Sequence, residues 1–289
     1  MEYFAPETLF ETLSLKKKWK GRGRIVAGCT NVIPDMRAKA LKPEVLIDIS
    51  HLKGLYYIKE EKKRVRIGGL TTISDLVSSR VIRSYAPILS EAAWHLGNPL
   101  VRNRATIGGN LADASPAADT AVPLLALEAT IVTDRHGKKG REIPIDQFFL
   151  GPNKTVLRPD EIIKEVFFSK PDPNTGWAYT KLGLRNAMAI SVISMAVLLQ
   201  MDKDKCKKAR ISLGAVAPTP IRAHQTEKIL EGNEFQQGLI EKAASVACEE
   251  ARPISDVRAS EWYRCEMVKV LFKRAVEQTI KNMAGRRSI

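Results

Sequence analysis

The sequence predicts an α+β protein with antiparallel sheets, not a doubly wound one. Segments 55–71 and 130–145 both read as β-hairpins closed by charged turns. Three further strand-like runs follow one another near 177–184, 190–201 and 209–217, and helical spacing takes over only after them. Consecutive strands joined by short turns pair antiparallel, because a parallel neighbour needs a long crossover connection.

The first half of the chain alternates helix and strand patterns. Helices are predicted where apolar residues recur at helical spacing, and strands where apolar runs end at glycine, proline or charged residues. The predicted helices span 8–18, a short segment after Pro34, 74–96 with an interruption at Pro87, and 120–127. Besides the hairpins, the predicted strands are 24–28, 44–49 and 160–171.

A segment rich in proline and turn residues, PDPNTG at 171–176, marks the predicted domain boundary. We expect a first domain over residues 1–173, with subdomains of about 1–55 and 56–173, and a second domain over 174–289. An apolar stripe on the last helix of the second domain is typical of a side that faces a core. The helices predicted there span 222–230, 237–250 and 261–283.

The composition is that of an ordinary globular protein, with 44% hydrophobic and 27% charged residues. The longest apolar run, 187–201, is shorter than the roughly 20 residues that a membrane-spanning helix needs. The N-terminus carries acidic residues where a signal peptide has positive charge. We therefore expect a cytoplasmic protein.

The cysteines and histidines show no arrangement typical of a metal site or a catalytic set. The four cysteines stand far apart, without a CxxC pattern or a neighbouring histidine, so neither a zinc nor an iron–sulfur site is expected in this chain. Scattered thiols in a cytosolic protein stay reduced, and we expect that of Cys29, Cys206, Cys248 and Cys265. His95 either faces a ligand or is an ordinary satisfied or surface side chain.

The charge balance is strongly basic. Lys and Arg outnumber Asp and Glu by 46 to 32, which gives a net charge of +14. Much of the excess lies in clusters at 16–24, 135–141 and 203–210, which are either solvated loop ends or contacts for an acidic partner or an anionic ligand. A nucleic-acid-binding protein is the less favoured class, because aromatic residues make up only 6% and no stacking surface is evident.

Two glycine-containing turns are candidate ligand sites. RIVAGCTN at 24–31 ends a strand at Gly28 before a helix, and TIGGN at 106–110 offers a similar turn. Consecutive backbone N–H groups at such a turn converge on one point, so two turns together suit a diphosphate. Neither turn completes a GxGxxG or Walker A motif, and a purely structural role stays open for each.

The order and spacing of several segments carry a family resemblance. The chain resembles the FAD-binding medium subunit of the molybdenum hydroxylases, the family of xanthine dehydrogenase and aerobic carbon monoxide dehydrogenase. The most specific block is RNxATIGGN followed by SPxxD, within 102–119. The other matching segments are FAPETLFETL, IVAGCTNVIPDMR, PEVLIDISHLKGL, IGGLTTISDL, FFLGPNKTVLRPDEII, YTKLGLRNAMAISV and LGAVAPTPIRA.

The resemblance implies a vanillyl-alcohol-oxidase-type FAD-binding domain of two subdomains, followed by a C-terminal α+β domain with an antiparallel sheet and helices. It implies that the two glycine turns hold the FAD diphosphate and that Asp119 contacts the ribose or ribityl region. Lys181 matches a lysine near the flavin carbonyl edge, where a cation stabilises a reduced, anionic flavin. Leu96 and Ile163 match positions beside the flavin ring, although core burial explains them equally well. The implied cofactor-binding residues are Ile25, Val26, Ala27, Gly28, Cys29, Thr30, Asn31, Leu96, Ala105, Thr106, Gly108, Gly109, Asn110, Asp119, Ile163 and Lys181.

The first turn departs from the family pattern. Where the family commonly has AGGTD, this chain has AGCTN at 27–31. A side chain in place of the second glycine narrows the backbone conformations allowed at Cys29, whose thiol either contacts the cofactor or fills space. Losing the acid at Asn31 removes a negative charge near the diphosphate, which does not weaken FAD binding.

The function implied by the resemblance is electron transfer within a larger enzyme. A large partner subunit is expected to carry molybdopterin and a small one two [2Fe–2S] clusters, while FAD on this chain passes electrons to NAD⁺ or another acceptor. A heterotrimer, possibly paired, is the expected assembly, and the basic clusters are expected to face acidic partners or the acceptor. Two alternatives stay open at this point: a stand-alone flavin oxidase or reductase of the same superfamily, and a basic nucleic-acid-binding protein.

Overall fold

The first part of the chain forms a parallel sheet. The computed structural model describes residues 1–287. The sheet has the strand order β1-β3-β2, and two crossover helices connect its strands. The expectation of antiparallel sheets is wrong for this sheet, because each strand is followed by a helix long enough to return the chain in the same direction. The elements are β1 (Glu2–Phe4), α1 (Leu9–Trp19), β2 (Gly23–Val26), α2 (Val32–Arg37) and β3 (Val45–Asp48).

The second part is built on a five-stranded antiparallel sheet with the order β4-β5-β10-β6-β7. Both predicted hairpins are confirmed at its two edges. A separate two-stranded hairpin, β8–β9, lies between β7 and β10 in the sequence. The strands are β4 (Ile58–Glu60), β5 (Arg64–Gly68), β6 (Thr130–Arg135), β7 (Glu142–Pro144), β8 (Phe149–Gly151), β9 (Lys154–Thr155) and β10 (Glu161–Ser169).

Six short helices pack in this second part. The predicted helical segment 74–96 is three helices, and Pro87 begins the third of them, where its missing N–H costs nothing. The TIGGN segment, expected as a turn, begins a helix that Thr106 caps. The helices are α3 (Ile73–Ser78), α4 (Arg80–Tyr85), α5 (Pro87–Trp94), α6 (Pro99–Arg102), α7 (Ile107–Asp113) and α8 (Ala121–Ala126).

The third part has a four-stranded antiparallel sheet, β11-β12-β13-β14, followed by three helices. The predicted apolar stripe of the last helix is confirmed as core, since Val268, Phe272 and Ala275 are fully buried. The last two residues of the predicted second domain lie outside the described residues. The elements are β11 (Thr175–Leu182), β12 (Ile193–Asp202), β13 (Lys205–Gly214), β14 (Ile221–Arg222), α9 (His224–Leu230), α10 (Gln237–Glu250) and α11 (Glu261–Arg287).

Strand β12 joins two of the three hydrophobic cores. Its Ala196 and Leu198 belong to the core of the second part, whereas Met195 and Val197 belong to the core beneath α10 and α11. Successive side chains of a strand point to opposite faces, so both faces of this sheet are covered. That is why residues 190–201 read as a continuous apolar run and not as an alternating one.

The prediction that all four cysteines are reduced is wrong for one pair. Cys248 on α10 and Cys265 on α11 form a disulfide, with their Cα atoms 5.1 Å apart. Helices α10 and α11 pack against each other, and this packing brings together residues that are 17 apart in the sequence. Cys29 and Cys206 are free thiols.

Within residues 1–287, no helix is both long and apolar enough to cross a membrane.

Candidate cofactor site

A cavity of about 610 Å³ lies where the parallel sheet meets the second part of the chain. A volume of this size is typical of pockets for small organic ligands. Every predicted cofactor-binding residue lines it except Asp119 and Lys181. The lining residues among those predicted are Ile25, Val26, Ala27, Gly28, Cys29, Thr30, Asn31, Leu96, Ala105, Thr106, Gly108, Gly109, Asn110 and Ile163.

Two glycines allow backbone segments of the cavity wall to pack directly against each other. A Cβ placed on Gly28 would overlap the backbone carbonyl of Arg104, in the segment that leads to the second glycine turn. A Cβ on Gly108 would lie 2.7 Å from the carbonyl oxygen of Gly69. These glycines therefore serve backbone-to-backbone packing, in which no side chain fits. Both glycines thus have a packing role, and both also line the cavity.

Gly109 has a different environment. A Cβ there would meet only the Oγ1 of Thr106, at 2.9 Å, and Gly109 is exposed to the cavity that it lines. Protein packing thus leaves space on this side of the residue. Any side chain at this position would fill the space, so glycine allows a ligand to approach the backbone closely.

The two turns differ in the hydrogen-bond donors that they offer. In the first turn, the N–H groups of Gly28, Cys29 and Thr30 donate to no protein acceptor in the described part of the chain. In the second turn, the N–H of Ile107 donates to Thr71 O and that of Gly108 to Gly69 O, at 3.0 and 2.9 Å.

The remaining backbone donors of the second turn are also used within the protein. The N–H of Gly109 donates to Thr106 Oγ1 at 3.0 Å, and that of Asn110 to Thr106 O at 2.9 Å. The expectation that both turns present backbone donors is therefore wrong for the second. What that turn offers instead is the Thr106 hydroxyl proton and the Asn110 side-chain amide, whose Oδ1 is held by Thr120.

Cys29 adopts a backbone conformation that favours glycine. Its φ is 61°, in the left-handed region, and the residue lines the cavity. A side chain at this position is expected from the sequence to restrict the allowed backbone conformations, and Cys29 does occupy a conformation that side chains disfavour. Burial, and secondarily the charge of Asp48, raises the pKa of the thiol, so the thiolate form is disfavoured.

Asp119 and Lys181 form a buried ion pair next to the cavity and not on its wall. The Lys181 Nζ lies 2.8 Å from Asp119 Oδ2, and both side chains are less than 10% exposed. The other carboxylate oxygen accepts hydrogen bonds from Tyr179 Oη and Ser191 Oγ, both at 3.0 Å. Burial raises the pKa of the Asp119 carboxyl, and the Lys181 ammonium opposes that rise.

Lys181 also links this pair to the cavity. Its Nζ donates to the backbone carbonyl of His95 at 3.0 Å, one residue before Leu96, which lines the cavity. The imidazole of His95 does not line the cavity; its Nε2 lies 3.2 Å from Glu91 Oε1. Of the two options for His95, the structure supports the satisfied side chain.

Several cations of the cavity wall escaped the sequence analysis. Lys16, Arg24, Lys154 and Arg158 all line it. The signal that was present is the first basic cluster, 16–24, which was open to contact with an anionic ligand. No pattern in the sequence shows which of its residues turn toward the cavity.

Comparison with known proteins identifies the family. The family model described as "FAD binding domain in molybdopterin dehydrogenase" matches residues 1–171, and that of the "CO dehydrogenase flavoprotein C-terminal domain" matches 177–279. The carbon monoxide dehydrogenase medium chain of Hydrogenophaga pseudoflava is 34% identical over 276 residues, covering 95% of each chain. The nicotinate dehydrogenase FAD-subunit of Eubacterium barkeri is 32% identical, covering 98% of this chain and 97% of that one.

Solved structures agree with this assignment. Carbon monoxide dehydrogenase from Hydrogenophaga pseudoflava superimposes with a TM-score of 0.94 at 33% identity, over 98% of each chain. Quinoline 2-oxidoreductase from Pseudomonas putida 86 gives a TM-score of 0.91 at 25% identity, over 99% of this chain and 97% of that one. With both family models matched along the chain, this protein belongs to the FAD-binding medium subunits of the molybdenum hydroxylase family.

Proposed function

We propose that this subunit binds FAD in the cavity and passes electrons from [2Fe–2S] clusters of a small partner subunit to NAD⁺ or another acceptor. The observation that carries the proposal is the meeting of the two glycine segments at one cavity, in a chain that has the FAD-binding domain of molybdopterin dehydrogenases. FAD, when bound, supplies the chemistry of accepting and releasing electrons. The large partner subunit carries the molybdopterin centre in this proposal.

The diphosphate of FAD is held at the first turn in this proposal. Within residues 1–287, the backbone N–H groups of Gly28, Cys29 and Thr30 donate to no protein acceptor, and consecutive donors at a turn suit the oxygens of a phosphate. The Thr106 hydroxyl and the Asn110 amide complete the donor set from the other wall. Gly109 keeps that wall low enough for the cofactor to lie against it.

Lys181 and Asp119 act together in this proposal. Lys181 donates to the carbonyl of His95, one residue before the cavity-lining Leu96, so its ammonium would lie behind the wall near Leu96, and its charge would favour an anionic reduced flavin bound there. Asp119 holds that ammonium in place through the 2.8 Å ion pair, in place of contacting the ribose or ribityl region. Both carboxylate oxygens of Asp119 already accept hydrogen bonds from protein groups, which supports the revised role.

We also propose that the chain divides at residue 173, with subdomains of about 1–55 and 56–173 before a C-terminal domain. The separate sheets of the three parts support this division, as do the two family models, which match residues 1–171 and 177–279. The basic clusters at 135–141 and 203–210 face acidic partner subunits or the electron acceptor in the assembled enzyme.

An absorbance spectrum of the purified protein tests the central claim. We expect flavin bands at roughly 370 and 450 nm, and their bleaching by a chemical reductant. Co-expression with its partner subunits should yield a complex that reduces an acceptor only when a substrate for the molybdenum centre is present. A colourless protein that takes up no FAD would contradict the proposal, and substrate turnover by the isolated chain would favour a stand-alone flavin oxidase.

A further inference from the structure

We infer that Lys16 and Arg24 form a cation pair at the cavity that selects the anionic dinucleotide FAD over uncharged flavins. The inference rests on the proposed function and assigns a role to two residues outside the glycine turns. Lys16 comes from α1 and Arg24 from β2, and both line the cavity. The two side chains thus reach one site from different elements.

The structure leaves both cations without a protein counter-ion. Within the described residues, neither Lys16 nor Arg24 takes part in an ion pair or a side-chain hydrogen bond. The nearest acid that acts on Lys16 is Asp160, whose carboxylate is held by Arg135 at 2.8 Å. An acid that is already paired neutralises a second cation poorly.

The two cations also repel each other. Burial lowers the pKa of Lys16, and the positive charge of Arg24 lowers it further. Lys16 is partly buried whereas Arg24 is exposed, so the cost of the two like charges falls mainly on Lys16, and a bound anion relieves it. This arrangement is what an anion-binding site has before its ligand arrives.

The other charged groups of the wall leave the cation excess intact. Lys154 and Arg158 add two positive charges. The acid Glu161 is neutralised by Arg141 in a bidentate pair at 2.9 and 2.6 Å. Asp113 also lines the cavity, and its carboxylate accepts a hydrogen bond from Asn31 at 2.6 Å. Burial raises the pKa of Asp113 and the charge of Arg24 opposes that rise, so Asp113 offsets part of the Arg24 charge while the other cations of the wall stay in excess.

The backbone donors and the two cations have different roles in binding the diphosphate. The backbone donors of Gly28, Cys29 and Thr30 orient a phosphate, whereas Lys16 and Arg24 supply attraction that any diphosphate feels and a neutral molecule does not. Riboflavin carries the same ring as FAD without the diphosphate. The pair should therefore affect FAD binding and leave riboflavin binding unchanged.

Fluorescence titration of the apo-protein with FAD and with riboflavin tests the inference. We expect Lys16→Met and Arg24→Met each to weaken FAD binding about tenfold, as expected for the loss of one nearby charge, and to leave riboflavin binding within twofold. Lys17→Met is the matched control, since Lys17 is an exposed lysine on the same helix. The control should bind both ligands as the wild type does.

A salt titration supplies a second measurement. The FAD dissociation constant of the wild type should rise with ionic strength more steeply than that of Lys16→Met, because the variant has lost a charge that salt screens. If Lys16→Met and Arg24→Met lose FAD and riboflavin binding equally, the two residues have a structural role and the inference is overturned. It is also overturned if these two variants bind FAD as tightly as the control Lys17→Met does. Failure of the wild type to bind FAD at all would instead overturn the proposed function, and the inference with it.

Discussion

Gly28 lies against the backbone carbonyl of Arg104, so closely that no side chain fits between them. This contact joins the turn after β2 to the segment that enters α7, and the cavity lies along the junction. The parallel sheet and the second part of the chain are thereby held in register at the site. A ligand that spans both turns depends on this one backbone contact.

Gly28→Ala is expected to destabilise the protein by about 1–3 kcal/mol, because the added methyl group must push the Arg104 carbonyl away. FAD content of the purified protein should fall with it. Thermal unfolding and the flavin-to-protein absorbance ratio measure the two effects. The control is Gly54→Ala, where the added atom meets nothing within 4 Å; equal melting temperatures of the two variants would contradict the prediction.

Gly109→Val is expected to weaken FAD binding much more than it weakens the folded apo-protein. The added Cβ lies 2.9 Å from Thr106 Oγ1, the hydroxyl that caps α7, and this hydroxyl must shift. The apo-protein should therefore lose about 1 kcal/mol of stability, as expected for a weakened helix cap. FAD affinity should fall at least tenfold, because the side chain fills the space beside the backbone. Calorimetric titration with FAD measures the loss, and normal binding by this variant would count against close approach of the cofactor at Gly109.

Lys181→Met is expected to cost about 3–5 kcal/mol, since it leaves the Asp119 carboxylate buried without its counter-ion. Lys164→Met, which removes a more exposed lysine from a 3.5 Å pair with Asp134, should cost less than about 1 kcal/mol. Urea unfolding at one pH measures both. A similar cost for the two variants would contradict the distinction.

The free energy of unfolding of Lys181→Met should depend on pH more strongly than that of the wild type. Burial raises the pKa of Asp119 above its ordinary value of 3.8, so the folded state binds that proton more tightly than the unfolded state does. The free energy of unfolding therefore falls as the pH rises above the unfolded value. Without Lys181 to oppose the rise in pKa, this fall in the free energy of unfolding should be larger than in the wild type. The double variant Lys181→Met/Asp119→Asn should lose this extra slope.

Cys29→Gly is expected to stabilise the protein by about 1 kcal/mol, because glycine adopts the positive φ of this position without strain. For a chain of this size the melting temperature should rise by about 2 °C. Cys29→Ala keeps the Cβ and should show no such gain. If both variants were stabilised equally, the thiol and not the backbone conformation would be the source of the strain.

Sequence patterns predicted most of the regular elements. Helix α10 spans Gln237–Glu250, the same residues that helical spacing indicated, and both edge hairpins of the five-stranded sheet were predicted. Strand β1 was missed because it has only three residues and pairs with a strand some forty positions away. The parallel pairing was missed for the same reason, since it rests on contacts far apart in the sequence.

The candidate site shows the same division. The family resemblance identified both glycine segments of the cavity wall together with Leu96 and Ile163, but not the cations of the wall or the segments around Gly69 and Asn153 that also line it. The sequence could not show that the N–H groups of Ile107 and Gly108 are already used, because their acceptors, Thr71 O and Gly69 O, belong to another segment. Nor could it show that Asp119 turns to Lys181, sixty-two residues away, rather than to the cavity.

What the sequence determined by itself is most of the regular elements, the family and the two glycine segments, because these depend on local patterns of residue type. Only the tertiary structure decided which donors remain free, which charges are paired and which cations face the cavity. Whether a polar group finds a hydrogen-bond or ion-pair partner in a distant segment depends on how the chain packs. The chemistry available to a diphosphate is thus a property of the fold: within the described residues, the N–H groups of Gly28, Cys29 and Thr30 have no protein acceptor, and Lys16 and Arg24 form no ion pair.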